Sequence, residues 1–221
     1  MLTPYDWQEG IGNRAQFIEG RLAAGAPVLA VSLDEGILVF TYRKQARKIY
    51  EIYDRLIFAG LGQQSDIESL RASALEFASR EGYNRSEEDV TIQRLATAMS
   101  SAIKTAFGDF TSAPFVARSL FAEVNETPER DLYYAIDFDG DYTMHRLSAG
   151  ITGAEESNFA EPLKAIAAST SVDDAVSRLT EIWNQAVSDD RGSEELKPEA
   201  VLLERSDARD NRFRLLYPEE F

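Results

Sequence analysis

The sequence predicts an α+β domain in which two β-sheets pack face to face between outer pairs of helices, an αββα sandwich. The strand and helix patterns come in blocks, which disfavours the strict alternation of a doubly wound parallel sheet. Several strand segments are apolar on both faces, as expected of strands covered on both sides. A chain of 221 residues with 44% apolar and 28% charged side chains is also long enough for one full-sized core.

A helix and four strands open the chain. Asp6 is a candidate N-cap for a helix over 7–24, although three glycines lower its helical propensity. The expected strands are Val28 to Leu33, Ile37 to Tyr42, Ile49 to Tyr53 and Leu56 to Leu61. The turn Asp34-Glu35-Gly36 joins the first two strands, and this pattern predicts a β-hairpin.

Two helices follow the four strands. Ser65 with Glu68 forms a capping-box pattern, and Ser86 with Asp89 opens the next helix in a similar way. Apolar residues then recur at helical spacing. They are Ile67, Leu70, Ala74, Phe77 and Ala78 in the first helix, and Ile92, Leu95, Met99, Ile103 and Phe107 in the second.

Three strands, two helices and two strands complete the predicted order. The strands are expected at Phe115 to Val124, Leu132 to Phe138 and Tyr142 to Leu147, the helices at Asn158 to Ala168 and Val172 to Val187, and the last strands at Ala200 to Glu204 and Phe213 to Leu216. Ser171 is the expected cap of the second of these helices. Nothing resembles a long linker, so we expect residues 1–221 to form a single domain.

The composition excludes several classes of function. With 38 acidic and 23 basic residues the net charge is −15, which opposes binding to nucleic acid and to anionic membranes. The chain has no cysteine, so disulfides, thiol catalysis and thiolate metal sites are excluded, and its one histidine is His145. Because no signal peptide or membrane-length apolar run is visible, we expect a cytoplasmic protein.

A stretch of nearly half the chain, beginning near Gly25, resembles the proteasome family, particularly its bacterial α-type subunits. The segments that carry the resemblance are Asp34-Glu35-Gly36-Ile37-Leu38-Val39, Lys48-Ile49-Tyr50-Glu51-Ile52-Tyr53-Asp54, Phe58-Ala59-Gly60-Leu61-Gly62, Phe77-Ala78 through Gly82-Tyr83, and Asp89-Val90-Thr91. The match runs from about Gly25 to Glu123 and continues more loosely to Phe221. It implies the αββα sandwich of N-terminal-nucleophile hydrolase type, over 25–221, with 1–24 as an N-terminal gate segment and helix.

The residues before the first strand separate the two subunit types of that family. A catalytic β-type subunit begins with a threonine whose hydroxyl attacks and whose α-amino group acts as base. Here the matching stretch is Gly25-Ala26-Pro27-Val28, which has no nucleophile, and Thr41-Tyr42-Arg43 replaces the expected aspartate. Lys48 matches the catalytic lysine, but α-type subunits have a lysine there too. The resemblance therefore implies a non-catalytic α-type subunit that requires no cofactor.

The resemblance also implies partners and a docking site. Such subunits form heptameric rings that stack on β-type rings, and a ring-shaped ATPase inserts its C-terminal tails between neighbours. Lys48 would pair with the tail carboxylate, Gly25 would allow close backbone approach, and Leu61 would provide an apolar wall. Considered without the resemblance, Lys48 reads instead as a solvated strand residue paired with a nearby acid.

The resemblance assigns the N-terminal residues Pro4, Tyr5 and Asp6 to a gate over the axial pore, and the competing interpretation is a frayed terminus. Trp7 departs from the family's pattern, because archaeal and eukaryotic members have an arginine there that bridges to a neighbouring subunit. The neighbour-to-neighbour salt bridge is therefore not expected here.

Two further features favour plain structural roles. His145 is expected to be a partly exposed or hydrogen-bonded strand residue rather than a catalyst. Asp137, Asp139 and Asp141 have a spacing that suggests calcium, but the position of the bidentate glutamate is Ser148, so a tight turn is favoured and no metal is expected.

Two alternatives to the α-type interpretation remain open. One is a self-compartmentalising peptidase of the N-terminal-nucleophile fold with an unrecognised nucleophile. The other is a ring that stands alone without β-type partners. The candidates for ring contacts are the first helix and the helix that begins near Ile92.

Overall fold

The computed structural model describes residues 3–153, 159–187, 196–206 and 211–216. Its helices are α1 (Pro4–Leu22), α2 (Gln64–Asn84), α3 (Ile92–Gly108), α4 (Ala160–Lys164) and α5 (Val172–Ala186), with short 3-10 helices at Glu87–Asp89 and Pro128–Arg130. Its strands are β1 (Val28–Leu33), β2 (Gly36–Arg43), β3 (Ile49–Tyr53), β4 (Leu56–Gly62), β5 (Ala117–Glu123), β6 (Leu132–Ile136), β7 (Tyr142–His145), β8 (Ser148–Ile151), β9 (Lys197–Glu204) and β10 (Phe213–Leu216). The expected start of a helix at Asn158 lies outside the described residues.

The strands form two five-stranded antiparallel sheets. One sheet has the order β10-β9-β2-β1-β8 and the other has the order β3-β4-β5-β6-β7. The predicted hairpin is present, with Val31 paired to Leu38, and the next two expected strands also pair, with Ile49 opposite Ala59. The predicted αββα sandwich of two face-to-face sheets is therefore confirmed.

Alternation along each strand divides the core into three layers, because successive side chains point to opposite faces of a sheet. Val28 and Ala30 of β1 belong to the cluster between the sheets, whereas Leu29 and Val31 pack against α4 and α5. On the other sheet, Phe58 and its neighbours pack against α2 and α3. All six residues of β1 are buried, which explains why its sequence is apolar on both faces.

Helix α1 closes one end of the sandwich. Ile18 and Leu22 are fully buried and belong to the cluster between the sheets. A Cβ on Gly62, in β4, would lie 2.9 Å from Leu22 Cδ2, and a Cβ on Gly153, after β8, would lie 1.8 Å from the Leu22 carbonyl oxygen. The last turn of α1 is therefore wedged between the two sheets.

Two of the predicted helix starts are wrong. Helix α2 begins at Gln64, so Ser65 lies inside it and bonds its neighbour Asp66 instead of capping. Ser86 and Asp89 bond to each other around a 3-10 turn, and α3 begins only after Thr91. The expected cap of α5 is confirmed, since the Ser171 hydroxyl accepts a hydrogen bond from the backbone amide of Asp174 at 3.2 Å.

The predicted strand over Tyr142 to Leu147 is shorter in the structure, and the strand that follows it, in the other sheet, was not predicted. β7 ends at His145, and the chain passes through Arg146 and Leu147 into β8 of the opposite sheet. Leu147 has φ +66°, a left-handed conformation that is rare outside glycine, and its carbonyl accepts a hydrogen bond from the Ser32 amide. Because no glycine or proline marks this crossing, the sequence pattern gave no sign of it.

A buried ion pair joins the sheets at the end remote from α1. The Asp131 carboxylate has no exposed surface and meets the Arg205 guanidinium in two contacts of 2.8 and 2.9 Å. Arg205 also donates to the Leu33 carbonyl, and the Asn125 amide donates to Asp131. This network ties the end of β9 to the segment before β6.

Among the described residues, no helix is both long enough and apolar enough to span a bilayer.

Candidate functional site

The residues at the head of β1 provide no nucleophile. Ala26 and Pro27 are buried, and the Pro27 carbonyl accepts hydrogen bonds from the Thr41 hydroxyl at 2.7 Å and from the Trp183 indole at 2.9 Å. The Thr41 hydroxyl is thus committed to a backbone carbonyl. With Gly25 before Ala26, the position that a catalytic threonine requires holds neither a hydroxyl nor a free amine.

Lys48 lies next to this segment. Its Nζ donates to the Ala26 carbonyl at 3.1 Å, its backbone amide donates to Glu199 Oε2 at 3.0 Å, and its carbonyl accepts from the Gly60 amide at 3.0 Å. The residue is half-buried. Its ammonium is therefore held at the head of β1 rather than extended into solvent, which differs from the solvated strand lysine considered above.

Gly25 and Leu61 are in contact, as the predicted pocket requires, but their roles differ from those expected. Leu61 is fully buried and lies directly beneath Gly25. A Cβ on Gly25 would be 2.6 Å from Leu61 Cδ2 and 2.8 Å from the Leu22 carbonyl oxygen. Glycine is thus required by packing within the chain, and Leu61 shapes the surface from below rather than forming an exposed wall.

Two charged residues of this site escaped the sequence analysis. Glu199, 5% exposed, reaches Lys48 from β9, and Arg43 Nε lies 3.7 Å from the same carboxylate oxygen. Burial raises the pKa of Glu199, while the Lys48 amide and the Arg43 guanidinium lower it. The available signal was the alternation in β9, since Glu199 occupies the same face as the inward-pointing Val201 and Leu203.

Pro4, Tyr5 and Asp6, which the family resemblance assigns to a gate, lie in the first turn of α1. Thr3, not Asp6, is the N-cap: the Asp6 amide donates to the Thr3 hydroxyl at 3.2 Å and the Thr3 amide donates to Asp6 Oδ2 at 2.8 Å. This reciprocal capping box lowers the pKa of Asp6 through its hydrogen bonds with Thr3. Pro4 is the first helical residue, a position that suits proline, and Tyr5 is 83% exposed.

Trp7 contacts a residue of its own chain. Its ring meets the Phe110 ring edge-on with centroids 4.9 Å apart. The Arg14 guanidinium lies 5.2 Å from the centroid of the Phe110 ring, and Arg14 Nη2 donates to the Ser112 carbonyl at 2.7 Å. The start of α1 is therefore packed on the loop after α3.

His145 and the aspartate turn have the structural roles predicted for them. His145 is exposed and its Nε2 lies 2.9 Å from the Thr143 hydroxyl. Asp137 is in an ion pair with Arg118 at 2.9 Å, and the Gly140 amide closes the turn on the Asp137 carbonyl at 3.0 Å. Over the described part of the chain, no cluster of three or more His, Asp or Glu side chains is arranged to hold a metal ion.

A cavity of about 610 Å³ lies elsewhere, between α3, the β6–β7 turn and β8. Lys104, Arg118, Asp137 and Asp141 give it a mixed charge. None of Gly25, Lys48 and Leu61 lines it, so it is separate from the site at the head of β1.

Comparison with known proteins matches the sequence of this chain to one family. The family model for proteasome subunits matches residues 24–196. The chain is 36% identical over 130 residues to "Proteasome subunit alpha" of Xylanimonas cellulosilytica, covering 58% of this chain and 53% of the relative. It is 30% identical over 161 residues to the protein of that name from Streptomyces avermitilis, covering 71% and 63%. These two matches span less than two thirds of the relatives' lengths. The match to the protein of that name from Jonesia denitrificans, 29% identical over 217 residues, covers 96% and 91%.

Proposed function

The chain belongs to the proteasome family, as a subunit of the non-catalytic α type, and on this premise we propose that it forms a homoheptameric ring stacked on β-type subunits. In that ring it gates substrate entry, scaffolds the β-type subunits and docks a ring-shaped ATPase, all for protein degradation. We propose that this subunit acts in the cytoplasm.

The observation that carries the proposal is the closed end of the sandwich. A catalytic subunit needs a free amine and a hydroxyl at the head of β1. Here Leu22 is wedged between the sheets, and the chain continues through Gly25-Ala26-Pro27 without a nucleophile. At this end of the molecule the two sheets pack against the last turn of α1, which favours a structural subunit over a peptidase.

The surface of α1 supports the ring. Tyr5 and Phe17 are 83% and 59% exposed, whereas Trp7, which is 45% exposed, packs on Phe110 of its own chain. Large apolar side chains exposed along one helix are typical of surfaces that another protein covers. We therefore propose that α1 packs against the next subunit of the ring.

Co-assembly tests the proposal directly. Native mass spectrometry of the chain with a candidate β-type subunit is expected to show seven copies of the 24.7 kDa chain in each α ring. Fluorogenic peptides should be hydrolysed only by the mixture. Steady hydrolysis by this chain alone would instead favour a peptidase with an unrecognised nucleophile, and rings that never bind β-type subunits would favour a stand-alone ring.

Removal of residues 1–6 is expected to raise the peptidase rate of the assembled particle several-fold. The exposed first turn, with Tyr5 at its tip, is the part of α1 that we assign to the gate. The measurement is the hydrolysis of a short fluorogenic peptide without any ATPase.

Thr3→Ala serves as the matched control for the truncation. It removes one side of the capping box, which costs about 1 kcal/mol of helix stability, but keeps every gate residue. Its rate should lie between those of the wild type and the truncation. An unchanged rate after the truncation would argue that the terminus is merely frayed.

A further inference from the structure

Glu199 brings a buried charge to the edge of the layer between the sheets. On β9 it shares a face with Val201 and Leu203, which point into the inter-sheet core. Since side chains alternate along a strand, the carboxylate is directed at the opposite sheet. Its side chain is only 4% exposed.

The carboxylate contacts the backbone of the residue on which the proposed docking site depends. Oε2 accepts a hydrogen bond from the Lys48 amide at 3.0 Å, across 151 positions of sequence and from one sheet to the other. The Lys48 carbonyl is fixed on β4 by the Gly60 amide. Both backbone groups of Lys48 are thus anchored, one to each sheet.

This anchoring determines where the lysine side chain can reach. With the backbone held, Nζ meets the Ala26 carbonyl at 3.1 Å, at the head of β1. A side chain with four rotatable bonds has much conformational freedom, so a fixed origin limits the space that the ammonium samples. Without the hydrogen bond from the Lys48 amide to Glu199, the Lys48 ammonium would keep its charge but would occupy a wider range of positions.

A purely structural link between the sheets would not require a buried polar side chain at this position. Glu199 Oε1 and Arg43 Nε are buried without a hydrogen-bond partner among the described residues. Burial also raises the pKa of Glu199, because a carboxylate that is taken out of water loses favourable solvation. A buried ion pair is often no more stabilising than apolar residues of the same volume. Burying a carboxylate is therefore energetically unfavourable if its only role is to link the two sheets.

We propose that Glu199 is the positioning residue of the docking site: its carboxylate holds the Lys48 backbone so that the ammonium meets the terminal carboxylate of an incoming peptide tail. This inference rests on the proposed function, since it specifies how the docking lysine is placed. It adds a determinant on β9 that is remote in sequence from Gly25, Lys48 and Leu61.

The test uses the assembled particle and two synthetic peptides that end in a hydrophobic residue, tyrosine and one further residue. One peptide has a free C-terminal carboxylate and the other a C-terminal amide, so the ratio of their affinities reports on recognition of the terminal carboxylate. Glu199→Ala is expected to lower the affinity for the carboxylate peptide about tenfold and to change the affinity for the amide peptide little. Most of the preference for the free carboxylate would then be lost. Glu199→Gln keeps an oxygen that can accept from the Lys48 amide and should restore the ratio.

Two further variants separate positioning from stability. Glu199→Asp withdraws the carboxylate by one carbon–carbon bond, about 1.5 Å, and should lower the ratio even where the alanine variant does not fold. Glu123→Ala is the matched control. Glu123 is 4% exposed against 5% for Glu199, is 3.7 Å from an arginine and has a pKa raised by burial, but it lies on the other sheet, where β5 pairs with Leu132. It should destabilise the protein and leave the ratio unchanged.

The outcomes distinguish the two levels of the proposal. If the wild type binds both peptides equally or not at all, the docking function itself fails, and this inference fails with it. If the wild type prefers the carboxylate and loses that preference in Lys48→Ala but keeps it in Glu199→Ala and Glu199→Asp, docking stands and the positioning role of Glu199 is overturned.

Discussion

Lys48→Ala is expected to abolish ATPase-dependent gate opening while ring assembly stays intact. In the free chain Nζ donates to a neutral carbonyl, that of Ala26. A carboxylate is a stronger acceptor for an ammonium than a neutral carbonyl is, so an incoming tail can replace this contact. Removing one partner of such a charge pair costs about 2–5 kcal/mol, or at least about thirtyfold in affinity. Fluorescence polarisation of a labelled tail peptide with a free carboxylate measures the loss.

Lys44→Ala controls for net charge, because Lys44 is an exposed lysine only four residues away. It should bind the peptide as the wild type does. Undiminished binding to the Lys48 variant would remove Lys48 from the docking site. A Lys48 variant that no longer forms rings in native mass spectrometry would show instead that its contact with Ala26 is needed for folding or assembly.

Arg205→Ala is expected to destabilise the fold by about 3–5 kcal/mol, the usual effect of leaving a buried charge without its partner. The Asp131 carboxylate has no exposed surface, and within the described part of the chain the Asn125 amide is the one hydrogen-bond donor that remains to it without Arg205. Against a total stability of about 5–15 kcal/mol, this loss is severe. Thermal unfolding at fixed protein concentration should show a midpoint lower by about 6–20 °C.

Arg130→Ala is the matched control for this ion pair. Arg130 and Glu126 are in contact at 2.7 Å, but their side chains are 68% and 81% exposed. Such a surface pair contributes about 0–1 kcal/mol, so the midpoint should hardly move. The double variant Arg205→Met with Asp131→Leu should recover much of the loss, since no charge is then left buried. Equal effects of Arg205→Ala and Arg130→Ala would contradict the importance of the buried pair.

The elements with a strong local pattern could be predicted from the sequence. The β1–β2 hairpin and the apolar stripes of α3 and α5 follow from the order of apolar and polar residues over short stretches. Ser171 was recognisable because a hydroxyl at the start of an amphipathic helix satisfies a free amide whatever surrounds it. Several hydroxyl and acidic residues lie close together around Thr3 and Asp6. There the sequence predicted that the first helix has an N-cap, but it did not identify which residue forms it.

Only some residues of the candidate site could be named from the sequence, and they came from a different source than the local pattern. Lys48, Gly25 and Leu61 came from the family resemblance, and they do gather at the head of β1. Glu199 and the contact between Trp7 and Phe110 could not be derived, because each joins residues that only the packing of the two sheets and α1 brings together.

By itself, the sequence determined the layers of the sandwich and the absence of a nucleophile before the first strand, because both depend on residue identity and short-range periodicity. Only the tertiary structure decided that the chain changes sheet at Leu147, that Leu61 supports Gly25 from below, and that Glu199 holds Lys48. These are contacts between segments remote in the chain, and their energies depend on burial and distance, which no local pattern records.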